Sequence, residues 1–170
     1  MRRFLLLLLA LGLSSSALAA DATPQTVRHV EIARYLGQWY EVARLPNRFE
    51  HNCDRNATAT YSMDGSTLRV VNRCLKADGK PQIARGHAKI VDRSTNAKLK
   101  VTFFWPFYGN YWILGLSQDY GWAVVGGPDR KYMWILSRMP ALTPQQKQDI
   151  RKVVEQSGYD WSKLLWTTQS

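Results

Sequence analysis

The sequence predicts an all-β chain, a barrel or a sandwich, with one helix near its C-terminus. Three observations predict it. Eight short segments rich in β-branched and aromatic residues follow one another with turn residues at close intervals. Residues 98–104 alternate Leu99, Val101 and Phe103 against Lys98, Lys100 and Thr102, the period of two of a half-buried strand. At Thr143-Pro144-Gln145-Gln146 the pattern changes to that of a helix start: a Thr cap, Pro in the first helical position and Gln three residues after the cap.

Taken in order, residues 1–19 read as a secretory leader. Arg2 and Arg3 form its basic start, residues 4–13 its apolar stretch and Ala17-Leu18-Ala19 a small-residue cleavage site. The apolar run is roughly ten residues, against about 20 for a membrane span. One domain, 20–170, follows. An extended arm over 20–30 and a helical turn over 31–35 precede strands at 39–45, 58–63, 67–73, 82–92, 98–104, 110–116, 122–126 and 131–137. Asp64-Gly65 turns the hairpin between the second and third strands, with Met63 expected opposite Ser66. Residues 105–109, Trp-Pro-Phe-Tyr-Gly, read as an aromatic loop. Ile150, Val153 and Val154 give the helix one apolar face to lay on the outside of the β structure, and residues 164–168 form a ninth short strand.

Export places Cys53 and Cys74 in an oxidising compartment. They flank the hairpin, with Arg55 expected opposite Cys74, and a bulged edge brings Cys53 within reach of a disulfide. The net charge is +10, and removal of Arg2 and Arg3 with the leader leaves the chain strongly basic. Such a surface suits anionic lipid head groups, and contact with a membrane surface is expected. The basic residues are scattered, so nucleic acid is not an expected partner.

The three histidines, His29, His51 and His87, share no metal-ligand spacing, and no nucleophile elbow or phosphate loop is present. No metal, no cofactor and no enzymatic activity are expected. Seven Trp, eight Tyr and five Phe instead suggest an apolar interior that binds a hydrophobic molecule. Alternation sets Tyr132, Trp134 and Leu136 on one face, and Leu99, Val101 and Phe103 on another. Glu41, Tyr61, Val101, Phe103, Trp112, Tyr132 and Trp134 are the candidate interior, ligand-binding residues, though ordinary core packing accounts for some of these rings. Glu41, two residues after Trp39, shares its inward face and reads first as a structural hydrogen-bonding partner. Arg44, Arg48, Arg55 and Arg73, near strand ends, form a candidate basic rim.

The segment Gly37-Gln38-Trp39-Tyr40-Glu41, then Gln118-Asp119-Tyr120, then Arg138 after the strand Trp134-Ile135-Leu136-Ser137 resemble, in order and spacing, the three lipocalin motifs. Thr58-Ala59-Thr60-Tyr61-Ser62, residues 104–109 and Gly127-Pro128-Asp129-Arg130 resemble signatures of the bacterial lipocalin branch that groups with apolipoprotein D and plant temperature-induced lipocalins. The resemblance spans about residues 30–168. It implies an eight-stranded antiparallel up-and-down β-barrel with the C-terminal α-helix packed outside. It implies structural roles for Gly37, Trp39, Asp119, Tyr120 and Arg138, with Arg138 over Trp39 at the closed end. Its implied activity is binding, storage or transport of fatty acids and phospholipids, particularly lysophospholipids, in the bacterial cell envelope, for membrane maintenance under stress. Another hydrophobic ligand such as a pigment is the alternative, and the branch also implies a homodimer. The branch's lipid-acceptor Cys is missing beside the expected cleavage site, so the expected location is the periplasm, with peripheral association to the outer membrane.

Overall fold

A computed structural model describes residues 23–170; the expected leader lies outside the described residues. Helix α1 (Ile32–Tyr35) leads into β1 (Gly37–Arg44), β2 (Arg55–Asp64), β3 (Thr67–Leu75), β4 (Pro81–Ile90), β5 (Lys98–Phe104), β6 (Phe107–Leu116), β7 (Trp122–Gly126) and β8 (Trp134–Ser137). Helix α2 (Pro144–Gln156), a 3₁₀ turn at Trp161–Lys163 and the short strand β9 (Leu165–Trp166) follow. Each of the first eight strands pairs antiparallel with its sequence neighbour, and β1 pairs with both β2 and β8. The sheet therefore closes as an eight-stranded up-and-down barrel with α2 outside, as expected. Closure removes the exposed edges that an open sheet would present. β1 leaves β2 beyond Tyr40, and its last residues, Ala43 and Arg44, pair with β9 instead. The C-terminal strand thus fills the seam where the two neighbours diverge.

Four local expectations are corrected. The β2–β3 turn is Gly65-Ser66, so Asp64 stands opposite Thr67 and Met63 opposite Leu68. Gly65 takes φ +59°, and a two-residue hairpin favours glycine at a left-handed first central position. The bulge lies within β2, between Arg55 and Thr58, and sets Arg55 opposite Leu75. Cys53 and Cys74 are disulfide-bonded, with Cα atoms 5.6 Å apart. The aromatic segment 105–109 is not a loop: Trp105-Pro106 is a two-residue turn, and β6 starts at Phe107. β8 starts at Trp134 rather than residue 131, because the Tyr132 carbonyl accepts from the Tyr159 hydroxyl (3.2 Å) instead of from a neighbouring strand.

Two apolar cores result. Inward residues including Trp39, Tyr61, Leu68, Val70, Leu99 and Tyr111 fill the barrel. A second core lies between the outer wall and α2, around Val42, Leu114, Ile135, Ile150 and Val154. The helix begins with a complete capping box: Gln146 N–H donates to Thr143 Oγ1 (3.2 Å), and Thr143 N–H donates to Gln146 Oε1 (2.9 Å). Gly115 lets it approach, since a Cβ there would stand 2.7 Å from Val153 Cγ1.

Candidate functional site: a barrel interior closed at one end

The closed end is built from the five motif residues. Trp39 is fully buried, and its Nε1–H donates to the Tyr35 carbonyl at 2.8 Å. The Arg138 guanidinium lies 3.8 Å from the centre of the Trp39 ring. The same group donates to the carbonyls of Arg34 (2.8 Å) and Leu36 (2.9 Å), which the end of α1 leaves unsatisfied, and to that of Gln38 at the start of β1 (2.7 Å). Gly37 takes φ +93°, a conformation that favours glycine, with Arg138 Nη1 3.4 Å from where a Cβ would stand. Asp119 accepts from Ser117 Oγ (2.6 Å) and the Gly121 N–H (3.0 Å), bonds that hold its carboxyl below the usual range. That turn presents Tyr120, whose hydroxyl accepts from the Glu31 N–H (2.9 Å) and whose ring carries Arg34 at 4.0 Å. The second motif therefore clamps α1 across the barrel floor.

Above the floor three inward tyrosines meet. Tyr111 Oη is 2.8 Å from both Tyr35 Oη and Tyr61 Oη. Burial pushes all three phenols well up, so they stay neutral. Leu68, Val70, Leu99, Val101 and Ile113 join them around an apolar cavity of only about 10 Å³, so this end is nearly filled. Nearer the mouth the inward residues become small: Ala59, Asn72 and Ala84 stand opposite one another on β2, β3 and β4. Gly86 makes room for the Phe103 ring, since a Cβ would stand 2.7 Å from Phe103 Cδ1. The Asn72 Oδ1 is buried without a hydrogen-bond partner among the described residues.

Of the seven candidate interior residues, Tyr61, Val101, Phe103 and Trp134 belong to the inner core. Tyr132 stands at the mouth, stacked on Trp134 at 5.9 Å and tilted against Phe49 at 5.4 Å. Trp112 is a correction. Tyr111 and Ile113 point inward, so the period of two turns Trp112 to the outer wall, where it joins the core under α2 with Lys98 Nζ 4.5 Å from its ring.

Glu41 also faces inward, and a bulge decides its company. β1 pairs Glu41 with Leu136 and Arg44 with Trp134, with a register shift between Glu41 and Ala43. One extra residue returns Arg44 to the inner face. Arg44 is therefore not part of a basic rim. Its Nη1–H donates to Glu41 Oε1 (3.0 Å), its Nε lies 3.4 Å from Glu50 Oε2, and all three side chains are largely buried. Thr167 Oγ1–H donates to Glu41 Oε1 (3.0 Å), while Asn47 Nδ2–H (2.7 Å) and Trp134 Nε1–H (3.1 Å) donate to Glu50 Oε2. Burial, then the nearby Glu50, pushes the Glu41 carboxyl well up, against the opposing pull of Arg44 and Thr167. Of the other candidate rim residues, Arg55 pairs with Asp54 at 2.8 Å, Arg48 lies 5.2 Å from the Phe49 ring at the mouth, and Arg73 is exposed on the outer face of β3. Both cysteines are bonded to each other, so neither offers a thiol nucleophile. Sequence reasoning missed Tyr35, Tyr111 and Asn72 as interior groups; alternation with Ile113 and Val70 was the available signal for the last two.

This floor, barrel and outer helix match a family model described as a lipocalin-like domain over residues 30–169. The chain belongs to the lipocalin family. This lipocalin is 40% identical over 173 residues to "Outer membrane lipoprotein Blc" of Escherichia coli (strain K12), with 97% of each chain covered. It is 40% identical over 157 residues to "Temperature-induced lipocalin-1" of Arabidopsis thaliana, covering 86% of this chain and 83% of that one. It is 31% identical over 159 residues to apolipoprotein D of Mus musculus, covering 87% and 82%. Among solved structures, insecticyanin from the tobacco hornworm Manduca sexta superposes with a TM-score of 0.71 over 88% of this lipocalin and 87% of that chain, at 23% identity, a likeness of fold. The resemblance read from the motifs is thereby met, and a hydrophobic small molecule is the ligand class the family binds.

Proposed function

We propose that this lipocalin binds and carries lipids with a single acyl chain, fatty acids and particularly lysophospholipids, in the bacterial envelope, in support of membrane maintenance under stress. One observation carries the reading: an interior lined mainly by apolar side chains and plugged at one end, whose tyrosine hydroxyls above the floor bond to one another while Asn72 Oδ1, nearer the mouth, is left without a partner among the described residues. The acyl chain enters the column above the tyrosine cluster, with Phe103 and Trp134 moving aside. Each buried methylene contributes about 0.8 kcal/mol before ordering costs. Asn72 Oδ1, buried without a donor, accepts the free glycerol hydroxyl that a lysophospholipid has and a fatty acid lacks. The likeness to outer membrane lipoproteins supports a place in the envelope.

Titration with a fluorescent lysophospholipid tests this. Saturable one-to-one binding at micromolar protein is expected, and its absence sinks the reading. Ala84→Trp, which fills the column, is expected to weaken binding at least about tenfold, whereas Trp112→Phe on the outer wall leaves it unchanged. Asn72→Leu is expected to lower the preference for lysophospholipid over fatty acid about fivefold, the worth of about one hydrogen bond. An equal loss for both ligands would remove Asn72 from the head-group reading. An absorbance spectrum with a visible band in freshly purified protein would favour a pigment instead.

A further inference from the structure

The β5–β6 hairpin projects four aromatic side chains into solvent at the open end. Phe104 is 79% exposed, Trp105 81%, Phe107 79% and Tyr108 41%. Scattered exposed apolar residues need no explanation, but four contiguous ones on a projecting tip do. A second observation lies on the wall below. Arg73 on β3, Arg85 and Lys89 on β4 and Lys100 on β5 are all exposed on the outer face. Among the described residues none of the four has an acidic partner, whereas the neighbouring Arg69 and His87 share Asp64. Lys89 stands directly opposite Lys100, a like-charge pairing that costs a sheet stability. Lys89 Nζ also lies 4.5 Å from the Tyr108 ring, which joins the cationic wall to the aromatic tip.

We propose that this end of the barrel docks on an anionic lipid bilayer, with the tip in the interface and the cationic wall against the phosphates. The dimensions agree. Lys100 precedes Trp105 by five residues, about 17 Å of strand and about 13 Å along the barrel axis once strand tilt is included. An amphipathic element buries its apolar part about 5–10 Å into the head-group boundary, so Lys100 comes to rest at the phosphate layer. A second copy is a poor occupant, since two such faces would bring unpaired cations together. Docking presents the mouth formed by Phe49, Tyr132 and Trp134 to the membrane. The proposal thus deepens the carrier reading by giving the route of lipid entry, and rests on it for that route alone.

Vesicle sedimentation of the purified protein tests it, with phosphatidylcholine vesicles and with vesicles containing phosphatidylglycerol, at low and high salt. Partition onto the anionic vesicles, weakened by salt, is expected. Trp105→Ser with Phe107→Ser, both on the exposed tip, is expected to lower partition at least about tenfold. Lys89→Glu with Lys100→Glu is expected to lower it by about fivefold or more per charge, on the anionic vesicles alone. No partition of the native chain, or partition unmoved by the tip variant, overturns the proposal. Self-association that the tip variant abolishes, with no vesicle binding, assigns the tip to a second copy and likewise overturns it. Lysophospholipid titration without vesicles separates the readings: saturable binding with no partition leaves the carrier standing, and partition without ligand binding leaves the docking surface standing.

Discussion

Glu41 sits in the sharpest electrostatic conflict of the barrel. It shares one cation, Arg44, with a second buried carboxylate, Glu50. Taking charges out of water is costly, and one guanidinium does not neutralise two carboxylates. With its carboxyl pushed up by burial and by Glu50, the native chain holds a proton at pH values where the unfolded chain has released it. Stability therefore falls as pH rises from the ordinary carboxylate range through the raised value of Glu41, by up to about 1.4 kcal/mol per pH unit. Below that window both states are protonated and this dependence ends. Denaturant unfolding across pH should show that slope in the native protein and lose it in Glu41→Gln. At the other end, Arg138→Met removes a cation–π contact and three bonds to carbonyls. A loss of about 3 kcal/mol is expected by the same measurement, with lysophospholipid affinity changed little, because Arg138 lies beneath the floor.

Among the elements, β1 owes its function to one inserted residue. Without the bulge, strict alternation would turn Arg44 outward and leave Glu41 inside without its cation. The alternation was legible from Trp39 and Glu41; the bulge was not, because no glycine or proline marks it, and it is fixed by pairing with β8. The same logic explains Trp112, an aromatic residue placed by the register of β6 and not by its own apolarity. The disulfide ties the segment before β2 to β3 beside the mouth. Its loop of about twenty residues restricts the unfolded chain, so Cys53→Ser with Cys74→Ser is expected to lower unfolding free energy by about 3 kcal/mol. For α2, Thr143→Ala removes half of the capping box and is expected to cost about 1 kcal/mol. Both are read from denaturant midpoints at constant m-value.

At the scale of the whole molecule, a closed sheet has an inside, and the carrier reading depends on what that inside leaves empty. The sequence by itself determined the number and order of the strands, the capped helix, the Cys53–Cys74 pairing and the three motifs that close the floor. The strands, the helix and the cysteine pairing rest on local periodicity, turn chemistry and spacing, which each segment carries within itself; the role of the motifs came from their resemblance to those of the lipocalins. Only the tertiary structure decided the register of the β2–β3 hairpin, the inward turn of Arg44, the outward turn of Trp112, the meeting of Tyr35, Tyr61 and Tyr111, and the wall of cations below an exposed aromatic tip. Those depend on which strand lies beside which and at what offset. Pairing between distant segments sets that offset, and a shift of one residue exchanges the two faces of a strand.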